Sequence, residues 1–134
     1  MRYNGQFRAF SFWYPASSLY SLIADGKYRE THLGRNKWKS LIYGSSLQHR
    51  CNREGFNVHT GGRVKIRLGL LGNNENDCKT IDSFVGLGAT FGLNYHLAWC
   101  GTSYTNTNAA GNLAQCGADN GNKNTRAIAY ILVR

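Results

Sequence analysis

Proline, acidic residues and long apolar runs are all scarce in this chain, and each scarcity removes a class of protein. Pro15 is the only proline among 134 residues, and 42% of the residues are hydrophobic. A disordered chain or a proline-rich linker is therefore excluded. No stretch approaches the ~20 apolar residues that a helix needs to cross a bilayer, so no transmembrane segment is expected. CxxC pairs are missing, which disfavours structural zinc. HExxH, GxSxG and a glycine loop followed by Lys-Ser/Thr are missing too, so the common signatures of zinc proteases, hydrolases and nucleotide enzymes do not apply. The start Met1-Arg2-Tyr3-Asn4-Gly5 has no apolar core of the kind a secretory signal carries. Neither repeats nor linker composition divide the chain, and residues 1–134 read as a single domain.

Negative charge is not only sparse but confined. Residues 1–70 hold twelve Lys/Arg and three Asp/Glu, whereas residues 71–134 hold four of each. All of the net charge of +9 thus belongs to the first half, which could meet a polyanion such as a sulfated glycan, a nucleic acid or an anionic membrane. The cations are scattered singly, without a basic helix or an RNA-binding motif, so specific nucleic-acid binding is not expected and a solvated basic face is the plain alternative. Cys51, Cys78, Cys100 and Cys116 are an even set with wide, unequal gaps. They fit two disulfides with three possible connectivities in an oxidising compartment, or else four buried thiols in a reducing one.

Local patterns predict few helices and several short strands. Ser17 or Ser18 can cap a short helix in which Leu19, Leu22 and Ile23 share a face and Gly26 ends the run. Lys37–Tyr43 reads as a short strand or turn burying Trp38, and Cys51–Val58 as a turn entering another strand. Arg63–Leu70 alternates basic with apolar residues and is the clearest strand, with one packed face and one charged face. Ser83–Gly88 is a second strand whose glycines imply close backbone approach. Residues 101–125, rich in Gly, Asn, Thr, Ser and Ala, read as irregular loop. Ala127–Val133 has the length and β-branching of a buried central strand.

Directly after the clearest strand comes Leu71-Gly72-Asn73-Asn74-Glu75-Asn76-Asp77-Cys78. Closely spaced amides and carboxylates of this kind can supply several of the six to eight oxygens that calcium takes. The same residues also make ordinary turns, because Asn tolerates left-handed backbone and bonds its own main chain. Candidates for catalysis are thin. His32, His49, His59 and His96 are scattered, and His49 with Cys51 forms at most a nucleophile pair without an orienting third group. No enzymatic activity is expected.

Taken in order, Ser18–Arg29, Cys51–Asn57, the Gly-Asn-Asn-Glu-Asn-Asp-Cys loop and Asp119–Lys123 through Tyr130–Val133 resemble the C-terminal part of secreted fibrinogen-related domains of the intelectin-like kind found in marine invertebrates. The likeness runs from about residue 17 onward. It implies an α+β, loop-rich domain with a central, mainly antiparallel sheet and one short helix near the N-terminus, incomplete because nothing matches the family's N-terminal subdomain. It also implies an extracellular, calcium-dependent lectin of innate recognition or adhesion, able to form homo-oligomers. On this likeness Asn73, Glu75, Asn76 and Asp77 are the metal ligands, although Asn76 stands where the family has a histidine. The family's second carboxylate has no counterpart between Phe84 and Cys116. Tyr95, Trp99 and Tyr104 are candidate sugar-stacking aromatics, and Asp119 with Asn120 is a further candidate ligand pair. The alternative is an adhesive or structural matrix protein that binds protein or acidic polymer partners through its basic first half.

Overall fold

The computed structural model describes residues 1–60, 64–91, 97–99, 102–104 and 109–134, with residues 91, 97–99 and 102–104 as backbone. The elements run β1 (Arg2–Tyr3), β2 (Gln6–Phe7), α1 (Leu19–Ile23), β3 (Arg29–Glu30), α2 (Arg35–Lys39), β4 (Arg50–Thr60), β5 (Val64–Asn73), β6 (Ser83–Leu87), β7 (Thr90–Phe91), β8 (Leu97–Trp99), β9 (Thr102–Tyr104), β10 (Ala110–Ala114) and β11 (Lys123–Arg126). The main sheet has the order β11-β10-β6-β5-β4-β3, and β7 also pairs with β5. All of its pairings are antiparallel. The expected α+β, mainly antiparallel architecture is therefore present.

The alternating strand behaves as its pattern dictates at its start. Val64 and Ile66 are buried while Lys65 and Arg67 are exposed. From Leu68 onward every residue of β5 is buried, because two apolar clusters enclose the strand. There Leu22 of α1 and Trp38 of α2 pack with Leu47, Phe56, Leu68, Leu70 and Val85, joined by Phe10, Phe12 and Tyr14. A second cluster holds Val58, Val64, Ile66, Leu71, Ile81, Phe84 and Leu113. Burying each such aliphatic or aromatic side chain contributes about 1.5–3 kcal/mol. At the centre, Gly69 faces Gly86 across β5 and β6. A Cβ at Gly69 would lie 2.7 Å from the Gly86 Cα, so both glycines are needed for strand approach, as the Ser83–Gly88 pattern implies for Gly86.

The first helix forms where expected. Ser18 accepts from the Ser21 N–H while the Ser21 hydroxyl receives the Ser18 N–H, a reciprocal cap. Three expectations are corrected. Lys37–Tyr43, read as a strand or turn, does bury Trp38 and is turn at residues 40, 41 and 43, but its start belongs to a second helix, Arg35–Lys39, so two short helices rather than one stand among the described residues. Glu54 explains its position. This buried carboxylate accepts from the Thr31 hydroxyl at 2.7 Å, the Leu33 and Gly34 N–H groups at 2.9 and 2.8 Å, and the Trp38 indole at 2.8 Å. Burial pushes the Glu54 carboxyl upward, and these four donors outweigh it and hold the pKa below the usual range.

Residues 101–125 are not all irregular, since β9, β10 and the first three residues of β11 lie within them. Asn112 sits fully buried in β10 because its side chain bonds Ser46 N–H, Ser46 C=O and Phe84 C=O, each at 2.8 Å. Ala127–Val133 is not a buried central strand. Ile128, Tyr130 and Leu132 are 57%, 57% and 85% exposed, and the run is tied to β1 only through an Arg2–Ile128 bridge among the described residues.

Candidate functional site

The β5–β6 connection carries the oxygen-rich loop, and its base is fastened twice. Cys78 is disulfide-bonded to Cys51 with Cα atoms 5.2 Å apart, and Cys116 is disulfide-bonded as well. The oxidised reading of the cysteines holds for these three. Cys51 and Asn52 both take left-handed backbone, φ 68° and 50°, where the β4–β5 register shifts between Arg50 and Arg53. A bulge of this kind turns the strand end toward the loop. The second fastening is Asn73, which is fully buried. Its amide N–H donates to the Asp77 carbonyl at 2.7 Å, and its oxygen accepts from the Asn74 N–H at 3.0 Å.

Much of the expected ligand set is engaged within the loop. Asn76 accepts from the Arg50 guanidinium, and Asp77 Oδ1 accepts from the Lys79 N–H at 2.6 Å. Glu75 Oε2 accepts from the Thr80 hydroxyl at 3.2 Å. Among the described residues no three of His, Cys, Asp and Glu stand close enough to hold an ion between them. Asn73 and Asn76 spend their oxygens on the loop itself, so the carboxylates of Glu75 and Asp77 are the better donors.

One carboxylate that the sequence reading missed stands at the foot of the same loop. Asp82 is only 8% exposed. Its backbone is pinned on both sides, the N–H to the Gly72 carbonyl at 3.1 Å and the carbonyl to the Gln115 N–H at 3.3 Å. Burial raises its carboxyl first, the Glu75 charge adds to this, and an Asn74 N–H only partly offsets them, so the group is pushed up to about 6. No cationic side chain forms an ion pair with Glu75, Asp77 or Asp82 among the described residues. The signal available in the sequence was an acidic residue between apolar Ile81 and the strand Ser83–Leu87, where burial is dictated and no basic neighbour follows.

Asp119 and Asn120 lie in the β10–β11 connection, at the same end of the sheet. Asp119 is saturated. Its Oδ2 accepts from Arg35 at 2.8 Å and Lys39 at 2.5 Å, and its Oδ1 from the Leu47 N–H at 3.0 Å. Burial pushes this carboxyl up, but Lys39, the Leu47 N–H and Arg35 prevail and hold it at about 2. It is a fastening between α2, the 45–47 segment and the hairpin rather than an open donor. Asn120 is different, because it lines a shallow cleft of about 310 Å³ with Arg8, Lys39 and Tyr43. The Tyr43 ring is 77% exposed and lies 5.5 Å beneath the Arg8 guanidinium. Tyr95 and Cys100, and the side chains of Trp99 and Tyr104, lie outside the described residues. His32 and His49 are not gathered into any cluster with Cys51. Compared with family models, with curated proteins and with solved structures, the chain matches none.

Proposed function

We propose that this chain is an extracellular glycan-recognition domain of the lectin-like kind, in which the β5–β6 loop takes up calcium and offers its open coordination positions to sugar hydroxyls. Support comes chiefly from Asp82. A buried carboxylate beside Glu75 with no cationic partner among the described residues is an electrostatic liability that a divalent ion removes, and hard oxygen donors select calcium over softer-ligand metals. Glu75 and Asp82 supply the charge, while loop carbonyls and amides complete the shell. Since Asn73 and Asn76 must give up internal bonds to contribute, affinity falls in the range of extracellular calcium modules, roughly 10⁻⁴–10⁻³ M. The disulfide at the loop base suits an oxidising compartment. Tyr43, exposed at the same end of the molecule, offers a ring face on which a sugar can stack.

The test is calcium calorimetry on the oxidised protein beside Glu75→Gln and Asp82→Asn, followed by a glycan array with and without chelator. Saturable binding that both variants lose, together with sugar retention that chelator abolishes, supports the reading. Sugar binding that persists in chelator removes the ion from the mechanism, and a folded wild-type protein with no calcium heat removes the site.

A further inference from the structure

The calcium reading leaves the charged face of β5 without a role, and that face lines a cleft of its own. Lys65 and Arg67 stand two residues apart on one face of β5 and are exposed. His59 lies directly opposite Lys65 on β4. All three border a cleft of about 200 Å³ roofed by Ala24–Gly26 of the α1–β3 connection and closed by Gly88 and Thr90. We infer that this cleft binds an oxyanion carried by an acidic glycan, a sulfate or carboxylate group on a sugar.

Three features favour an anion there. Arg67 is held rather than solvated: its Nη1 donates to the Ile23 carbonyl at 3.0 Å and to Asn57 Oδ1 at 2.9 Å. Neutral acceptors fix its direction without cancelling its charge, which is the arrangement that keeps a guanidinium ready for an anion. Lys65 forms no ion pair among the described residues. Asp25 also borders the cleft, but both of its oxygens are taken by Arg29 at 2.8 Å, so the uncompensated charge of the cavity is positive. His59 and Thr90, which also border the cleft, are residues that carry hydrogen-bond donors. The form of the site selects the ligand class. A recess of this size admits one charged substituent, whereas nucleic-acid backbones need a row of cations tracking successive phosphates. The site lies away from the β5–β6 loop, at the opposite end of the β4–β5 pair, so it stands or falls independently of calcium.

The test measures binding of a heparin-derived hexasaccharide, its desulfated counterpart that keeps the carboxylates, and a short DNA duplex at 150 mM salt in chelator. Wild type is compared with Lys65→Gln and with Lys123→Gln, the latter a charge-matched change on β11, three strands from β5 in the sheet order. Lys65→Gln is expected to weaken hexasaccharide binding about tenfold, and Lys123→Gln less than about twofold. Melting temperatures within about 2 °C of wild type confirm that both variants are folded. Preference between the two saccharides identifies sulfate or carboxylate as the bound group. Equal losses in the two variants, absence of binding in wild type, or duplex binding as tight as that of the hexasaccharides overturns the assignment.

Discussion

Asp82→Asn is the most informative substitution, because the structure fixes both the sign and the pH at which its effect appears. In the folded chain the carboxyl sits at about 6, against an ordinary value of 3.8. The folded state therefore holds the proton more tightly than the unfolded one. Stability from this group is fully present below pH ~4 and is lost as pH rises through about 6. Two pKa units correspond to about 2–3 kcal/mol, and partial hydration of the loop brings the working figure to about 2 kcal/mol. Asparagine is neutral, nearly isosteric and can still accept from Asn74 N–H. The variant should match wild type within about 0.5 kcal/mol at pH 4 and exceed it by about 1–2 kcal/mol at pH 7.5. Urea unfolding followed by fluorescence of the tryptophans, Trp38 being buried, reads this directly across pH 4–8. Calcium supplies a second arm. With a dissociation constant near 1 mM, 10 mM calcium should stabilise wild type by about 1.4 kcal/mol and leave Asp82→Asn unchanged. An Asp82→Asn protein destabilised equally at both pH values would show that the carboxylate is an ordinary structural acceptor, and the reasoning would fail.

The remaining predictions concern the scaffold beneath the site. Glu54→Gln leaves one oxygen and an amide N–H₂ facing four donors, so it should cost about 3 kcal/mol or more in denaturant unfolding and perturb the Trp38 emission. Replacing Cys51 and Cys78 together by serine opens a loop of 27 residues. The chain-entropy relation assigns that closure about 3.5 kcal/mol, measurable as a lower urea midpoint, with Asn73–Thr80 amides exchanging faster. For Asp119, held at about 2, the sign is opposite to that of Asp82. Its contribution is present above pH ~4 and fades as pH falls to about 2. Asp119→Asn should accordingly cost about 2 kcal/mol at pH 7, and little at pH 2, in thermal unfolding.

Where the expectations succeeded, the determining interactions were local. The Ser18–Ser21 cap needs only residues three apart, and the in-out pattern at Val64–Arg67 needs only the two-residue strand period. Gly86 announced a close approach because a missing side chain inside a strand has few other uses, and the structure adds Gly69 as its partner. Helix α2 was illegible for the opposite reason. Its glycine start has no side-chain cap, and what holds it is a carboxylate on β4, sixteen residues beyond Trp38. Strands β10 and β11 were hidden by composition, since a stretch of Gly, Asn and Thr reads as loop until Asn112 finds Ser46 and Phe84 across the fold. The apolar run 127–133 misled in the other direction, because hydrophobicity permits a central strand without providing a vacant place beside one.

The candidate site divides in the same way. By itself the sequence determined that a polar, oxygen-rich loop would leave the end of a basic-apolar strand near a cysteine, because strand period, turn chemistry and residue type are properties of neighbours along the chain. Only the tertiary structure decided which oxygens are already spent, that Asp119 is neutralised by Arg35 and Lys39, and that Asp82 is buried beside Glu75 without a cationic partner among the described residues. Charge compensation and desolvation depend on groups brought together from distant parts of the chain, and it is these, rather than the kind of residue, that decide whether a carboxylate is a fastening or a candidate ligand.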